Sequence, residues 1–180
     1  MIDKKGMESR MQRIAQFHKV SFEEFKKSYE RETETRVVEI YDKISLPKRA
    51  TSKSAGYDFY LPEGITLKPG ETIKIATGIR VEMQDEWVLK LYPRSGLGFK
   101  YRLQLNNTVG IIDADYFYSE NEGHIHAKIT NDSNDDQTLQ LEAGMGFMQG
   151  IFVEYGITLD DATSTVRNGG FGSTSQKVNR

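Results

Sequence analysis

The rhythm of residues 36–165 constrains the fold more than any other feature of this chain. Short runs that are apolar, or that alternate between apolar and polar residues, are interrupted by turn signals every ~8–15 residues. The predicted strands include 37–40, 73–75, 87–91, 109–112, 124–129, 139–141 and 150–153. Alternation with a period of two is typical of extended strands, whereas an amphipathic helix repeats every ~3.6 residues. The pattern therefore predicts an all-β domain, either a sandwich or a barrel.

Residues 1–35 follow a different pattern. Apolar side chains recur there at helical spacing, at Met7, Met11, Ile14, Phe22, Phe25 and Tyr29. Ser21 followed by Glu24 is a capping-box pattern that would start a second helix. We predict an N-terminal helical extension that either packs on the main body as a hairpin or serves as a partner-binding or helix-turn-helix appendage.

The last fifteen residues, 166–180, lack periodicity and are rich in glycine. Segments of this composition are typically flexible, so we predict a mobile C-terminal arm. The chain then divides into an N-terminal extension (1–35), a β domain (36–165) and the arm (166–180).

The bulk composition limits the classes of function. A length of 180 residues suits one domain with a substantial core, and a net charge of -2 argues against a non-specific nucleic-acid binder. The absence of cysteine excludes disulfides and cysteine-ligated zinc, and it is compatible with a reducing compartment. We see neither a signal-peptide pattern nor an apolar run long enough to span a bilayer. We expect a cytoplasmic protein that binds neither nucleic acid nor membrane.

Two short segments carry groups that suit a phosphate or a metal. Asp58, at the end of Ala55-Gly56-Tyr57-Asp58, can hold a water molecule of a hydrated Mg²⁺ or make local bonds in a turn. In Pro93-Arg94-Ser95-Gly96, Arg94 offers a planar fork to two phosphate oxygens, and Ser95 and Gly96 are compact donors. The alternative for Arg94 is a surface arginine at the end of a strand.

Three further features have both a chemical and a structural interpretation. The apolar pair before Asp113 delivers this carboxylate to a strand end, where it can take a proton from a water molecule or simply cap a hairpin. Gln149 lies in an apolar setting, so its amide is either structural or a ligand contact. His124 and His126 share a strand face, but no third metal ligand is evident.

Taken in order, the segments resemble the five sequential motifs of the trimeric deoxyuridine triphosphatases (dUTP diphosphatases, or dUTPases). The matching segments are 55–58, 93–96, 110–116, 148–149 and 167–174, and the resemblance covers roughly residues 36–175. It implies a jelly-roll-like β fold of the β-clip kind, a homotrimer with three shared active sites, and Mg²⁺-dependent hydrolysis of dUTP to dUMP and pyrophosphate.

The resemblance also implies a role for each matching residue. Asp113 would orient and deprotonate the attacking water, and Asp58 would meet the metal through water. Tyr116 would lie under the deoxyribose and leave no space for a 2′-hydroxyl. The remaining expected substrate contacts are Arg94, Ser95, Gly96 and Gln149 for the phosphates, Asn107 with the backbone of Gly110 to Ile112 for uracil, and Arg167, Phe171, Gly172, Ser173 and Thr174 in the closing arm.

The chain departs from the family pattern at three points. Met145 and Gly146 stand where an acidic residue and an arginine are usual, the turn at 117–123 is longer, and Arg167 is one residue closer to Phe171 than in the commonest spacing.

The sequence leaves two alternative functions open. One is a dCTP deaminase, which resembles this fold. The other is a nucleotide-sensing regulatory module that binds a protein partner through 1–34 or 117–123.

Overall fold

The computed structural model describes residues 11–165 and Arg167. In this part of the chain strands dominate and the helices are short, so the all-β prediction is confirmed. The strands are β1 (Ala15–Lys19), β2 (Lys48–Arg49), β3 (Tyr57–Tyr60), β4 (Ile65–Leu67), β5 (Thr72–Ala76), β6 (Ile79–Met83), β7 (Trp87–Pro93), β8 (Gln104–Leu105), β9 (Gly110–Ile112), β10 (His126–Thr130), β11 (Leu139–Leu141) and β12 (Gly146–Glu154). The helices are α1 (Phe22–Lys26), α2 (Glu34–Asp42) and α3 (Ser95–Tyr101), with 3₁₀ turns at Lys27–Tyr29 and Ala114–Tyr118.

The largest sheet has the strand order β2-β3-β12-β7-β9, and every pairing in it is antiparallel. Three smaller sheets, β5-β10-β8, β1-β6 and β11-β4, complete the barrel-like arrangement. Strand β12 lies at the centre of the large sheet because it pairs with both β3 and β7. Four of the five motif segments therefore belong to this one sheet or to the segments that leave its strands.

One hydrophobic core holds the sheets together. Its fully buried side chains include Phe25, Phe59, Leu89, Ile129 and Phe147. Full burial of a side chain of this kind is worth ~1.5–3 kcal/mol. Phe25 comes from the N-terminal segment, so this segment contributes to the same core as the β domain.

The N-terminal segment differs from the predicted helical hairpin. Ala15–Lys19 forms strand β1, which pairs antiparallel with β6, so the helix expected around Met11 and Ile14 is wrong. The start of the next helix is confirmed, because Ser21 is the N-cap of α1 and its Oγ accepts from the Glu24 amide at 3.1 Å. The first residue of the proposed periodicity, Met7, lies outside the described residues.

The strand predicted at 37–40 is also wrong, since these residues belong to α2. Thr33 caps this helix by accepting from the Arg36 amide at 3.3 Å, and Val37 and Ile40 are its buried residues. The chain division at residue 35 stays a prediction. The described helices have five, nine and seven residues, and none of them is long and apolar enough to cross a lipid bilayer.

Candidate active site

One cluster of polar side chains lies where β3, β12 and the end of β7 meet. Gln149 of β12 is opposite Asp58 on β3 and Tyr92 on β7. Asp58 Oδ1 is 3.3 Å from Arg94 Nε, and Gln149 Nε2 donates to the Pro93 carbonyl at 3.4 Å. The structure thus brings together a carboxylate, a guanidinium and an amide from three segments that are far apart in the sequence.

The start of α3 adds donors to this cluster. Arg94 is the N-cap of the helix, and Ser95 and Gly96 form its first turn. The first N–H groups of an α-helix have no partner within the helix, so these two amides can serve an anion. No described atom lies within 4 Å of the position that a side chain on Gly96 would take, which leaves room for a ligand to approach the backbone.

Two glycines allow the cluster to pack closely. A Cβ on Gly56 would overlap with Oε1 of Gln149, and one on Gly146 would lie 2.7 Å from Arg94 Nη1. The Gly146 carbonyl accepts from Arg94 Nη1 at 3.4 Å. Gly146 is one of the two positions in this motif that depart from the family pattern. Its carbonyl binds Arg94, and a side chain at this position would collide with the Arg94 guanidinium.

A second group of residues surrounds β9. Gly110 packs so closely against Leu91 that a Cβ on the glycine would lie 3.0 Å from Leu91 Cβ, and Ile112 is a core residue. Asn107 is exposed in the loop before β9, where its carbonyl accepts from the Val109 amide at 2.7 Å. Asp113 follows β9 directly, and its carbonyl accepts from the Tyr116 amide at 3.1 Å.

Arg167 joins this second group by ion pairs that the sequence did not reveal. Its Nη2 is 2.5 Å from Asp113 Oδ2, and its Nε is 2.9 Å from Asp115 Oδ1. The guanidinium carbon lies 5.7 Å from the centre of the Tyr116 ring. Asp115, two residues after the candidate base, thus helps to hold the arginine of the arm.

The two groups lie at different ends of strand β7 within one chain. Ile112 pairs with Leu89, while Pro93 is four residues or about 13 Å further along the strand. Asp113 continues away from Pro93, because β9 runs antiparallel to β7. The structure therefore does not bring Asp113 to Arg94, Asp58 or Gln149 within a single chain.

Tyr116 is held by the longer turn that follows it. Its hydroxyl donates to the His124 carbonyl at 3.0 Å and accepts from Asn121 Nδ2 at 2.8 Å. Burial raises the pKa of the Tyr116 phenol, which therefore stays neutral. Sequence reasoning missed Asn121, and the only signal that could have pointed to it was the unusual length of the turn.

The two histidines of β10 and the preceding segment are structural groups in the described chain. His124 is fully buried and its Nε2 accepts from the Gly78 amide at 3.0 Å. Burial, together with the charges of His126 and Lys74, lowers the pKa of His124 to about 3. Residues 11–165 and Arg167 contain no cluster of three acidic or histidine side chains able to hold a metal.

The remaining predicted arm residues, Phe171, Gly172, Ser173 and Thr174, lie outside the described residues. Arg167 is thus the one member of the arm motif for which the structure gives a position.

The chain is similar to known dUTPases over most of its length. The dUTPase family model matches residues 42–175. The deoxyuridine 5′-triphosphate nucleotidohydrolase of Lactococcus lactis is 40% identical over 134 residues, which covers 73% of this chain and 88% of the relative. The enzyme of the same name from Hahella chejuensis is 38% identical over 152 residues, covering 78% and 97%.

Solved structures give the same result for the fold. The crystal structure of dUTPase from Streptococcus mutans matches with a TM-score of 0.59 and 34% identity, covering 79% of this chain and 97% of that one. A variant of the dUTPase from phage phi11 of S. aureus, described with a structural Mg(II) ion, matches with a TM-score of 0.60, covering 85% and 98%. At 20% identity, the phage structure supports the fold alone.

Proposed function

Because the chain belongs to the dUTPase family and is a dUTP diphosphatase, we propose that Asp113 activates the water molecule that cleaves dUTP into dUMP and pyrophosphate. The contact between Asp113 and Arg167 carries this proposal. The two residues are 54 positions apart, and both are expected at the triphosphate. Family membership also sets aside the deaminase alternative.

The proposed reaction is a direct displacement at the α-phosphorus. The water gives a proton to a carboxylate oxygen of Asp113 as its oxygen bonds to phosphorus, and the bond to the departing pyrophosphate breaks. In the structure Arg167 occupies one of the two carboxylate oxygens of Asp113, Oδ2. The γ-phosphate competes for the same guanidinium, so substrate binding would free the base.

The cluster at the end of β7 is the proposed phosphate site. Arg94 can bind two phosphate oxygens, and the first-turn amides of α3 and the Gln149 amide add neutral donors. Phosphoryl transfer depends mainly on positioning and charge neutralisation, so donors of this kind suffice without a covalent nucleophile.

A hydrated Mg²⁺ fits the donor set at this cluster. Mg²⁺ keeps several of its waters and is usually held by one or two carboxylates together with substrate phosphates. Asp58 supplies one such carboxylate beside Arg94, so we propose that Asp58 holds the ion through water. When bound, the ion would neutralise charge on the phosphates.

The hairpin around β9 is the proposed nucleoside site. The uracil edge would be bound by Asn107 and by the backbone of Gly110 and Ile112. Cytosine would leave some of these donors and acceptors unpaired, so the site would discriminate against it. Tyr116 would lie under the sugar and exclude a 2′-hydroxyl. In the arm, Arg167, Ser173 and Thr174 would close over the γ-phosphate, with Gly172 beside them and Phe171 on the base.

We further propose that the active protein is a homotrimer with shared sites. The separation of Asp113 from Arg94 along β7 supports sharing, because two groups that act on neighbouring phosphates need to lie closer together than one chain places them. The same chain would then contribute its nucleoside half to one site and its phosphate half to another.

Pyrophosphate release from a panel of deoxynucleoside triphosphates and UTP, with and without Mg²⁺, tests the function. We expect release from dUTP only, with strong loss after chelation of Mg²⁺. Asp113→Asn should reduce turnover by about 10²–10⁴-fold if Asp113 is the general base. Near-normal turnover of this variant would show that another group takes the proton.

A second function, binding of a protein partner, has one observation in its favour. The N-terminal segment and the turn at 117–123 form a continuous surface, because the Glu122 carboxylate accepts from both the amide and the hydroxyl of Ser21, and Tyr118 in this turn is exposed. A partner identified for the intact protein that still binds after replacement of the turn would count against this role. Either function would be carried out in the cytoplasm, where the nucleotide pool lies.

A further inference from the structure

The turn after Tyr116 is built around the side chain of Asn121. Asn121 Nδ2 donates to Tyr116 Oη at 2.8 Å, and its Oδ1 accepts from the Gly123 amide at 3.3 Å. The Asn121 carbonyl accepts from the His124 amide at 3.0 Å. One residue thus connects the phenol of Tyr116 to the backbone of the turn.

The phenol oxygen is hydrogen-bonded to the turn and to the residue that follows it. Besides the bond from Asn121, the hydroxyl donates to the His124 carbonyl at 3.0 Å. The Tyr116 side chain is only 5% exposed, and its ring lies 5.7 Å from the Arg167 guanidinium, which itself contacts Asp113. The position of the ring beside the candidate base is therefore set by the turn.

The turn is itself fixed to the body of the protein. The carboxylate of Glu122 accepts from the amide and the hydroxyl of Ser21 at 2.8 and 2.6 Å. Arg80 donates to the Phe117 carbonyl at 2.8 Å, and its guanidinium lies 3.6 Å from the centre of the Phe117 ring. These contacts fix the backbone of the turn, so Asn121 cannot shift together with the Tyr116 ring.

We infer that Asn121 is a positioning residue for Tyr116 and sets the selectivity for deoxyribose over ribose. This inference rests on the proposed function, in which the Tyr116 ring excludes a 2′-hydroxyl. Exclusion by contact requires a ring that does not yield, because a small displacement would admit one extra oxygen. With the Asn121 bond removed, the phenol loses the hydrogen bond that connects it to the side chain at the centre of the turn, and the ring can shift.

The test measures kcat/KM for dUTP and for UTP in Asn121→Ala and Asn121→Asp. The aspartate keeps the shape of the side chain and an oxygen for the Gly123 amide, but it has no N–H for Tyr116. The loss of one such hydrogen bond corresponds to a change of about five- to tenfold in an equilibrium or rate ratio. We therefore expect the ratio of kcat/KM for dUTP to kcat/KM for UTP to fall by about this factor in both variants. The exposed Asn134 gives a control, Asn134→Ala, in which the ratio should stay at its wild-type value.

A second comparison separates positioning from folding. In a Tyr116→Phe background the acceptor of the Asn121 bond is gone, so Asn121→Ala should not change the ratio further. Thermal unfolding of each variant is recorded in parallel, because a merely structural residue would lower Tm without moving the ratio.

The outcomes are distinct. The inference is overturned if the dUTP-to-UTP ratio is unchanged in Asn121→Asp. It is also overturned if Asn121→Ala changes this ratio equally with and without the Tyr116 hydroxyl. In both cases the activity of the wild-type protein on dUTP is unaffected. Absence of dUTP hydrolysis by the wild-type protein refutes the proposed function and the inference with it.

Discussion

Shared active sites can be tested by mixing two inactive proteins. Asp113→Asn removes the candidate base, and Arg94→Ala removes the guanidinium at the phosphate cluster. Ile112, which precedes Asp113, pairs with Leu89, about 13 Å from the strand end that leads to Arg94. Each variant therefore keeps one half of the site intact, and in a mixed oligomer the intact halves can meet.

The recovered activity follows from counting subunits. After denaturation and joint refolding in equal amounts, an intact site needs Asp113 from one chain and Arg94 from its neighbour. With random assembly about one site in four meets both conditions. Since Asp113→Asn alone should retain no more than about 10⁻² of wild-type turnover, the mixture should exceed this variant by a factor of at least about 25.

The assay is pyrophosphate release from dUTP by the refolded mixture and by each variant refolded alone. Asn107→Ala mixed with Asp113→Asn is the matched control, because both residues belong to the nucleoside half and no assembly brings their intact forms together in one site. Recovery in the first mixture and none in the control is expected. A first mixture no more active than its components would refute the division of the site between subunits.

Two further predictions concern stability. Gly123 has φ +69°, and a Cβ there would lie 2.7 Å from the Tyr116 carbonyl, whereas Gly70 has φ +81° with nothing described within 4 Å of such an atom. Gly70→Ala should therefore lower the free energy of unfolding by about 1 kcal/mol through backbone strain alone, and Gly123→Ala should lower it by about 2–4 kcal/mol. Equal losses for the two variants in urea unfolding would contradict the packing argument. His124 has a folded pKa of about 3, below its ordinary value, so the unfolded state binds more protons between pH 6.5 and 3 and stability should fall as the pH drops through that window. At fixed protein concentration we expect a loss of about 2 kcal/mol between pH 6.5 and 5, with a weaker slope in His124→Gln, and an unchanged slope in that variant would assign the effect elsewhere.

Local patterns in the sequence predicted the strands better than the N-terminal segment. The alternating run at 87–91 is part of β7, and 139–141 coincides with β11. The apolar residues at 37–40 form a helix instead, because a four-residue apolar run has no period that separates a buried helix face from a strand. Strand β1 depends on its pairing with β6, some 60 residues away, and local spacing contains no information on that partner.

The geometry of the candidate site likewise depends on long-range pairing that local sequence patterns do not contain. The residue type at Arg94 suited a phosphate and that at Asp58 suited a hydrated Mg²⁺, while the phosphate role of Gln149 came from the family resemblance. Only the strand register brings the three residues to one end of β7. The ion pairs of Arg167 with Asp113 and Asp115 join segments whose relative position depends on the whole fold. The assigned roles of these residues stay predictions until the variants are measured.

The two segments that exceed the family pattern depend on each other. The family model begins at residue 42, yet Val20 and Phe25, which precede this point, are buried in the core. Burial tends to raise the pKa of Glu122, but the hydrogen bonds from Ser21 and the charges of Arg80 and Lys27 outweigh it and lower the pKa. The carboxylate of the longer turn is therefore stabilised by a residue of the N-terminal segment. A chain with this turn but without that segment would leave Glu122 without its two Ser21 donors, and the turn that positions Tyr116 would lose an anchor.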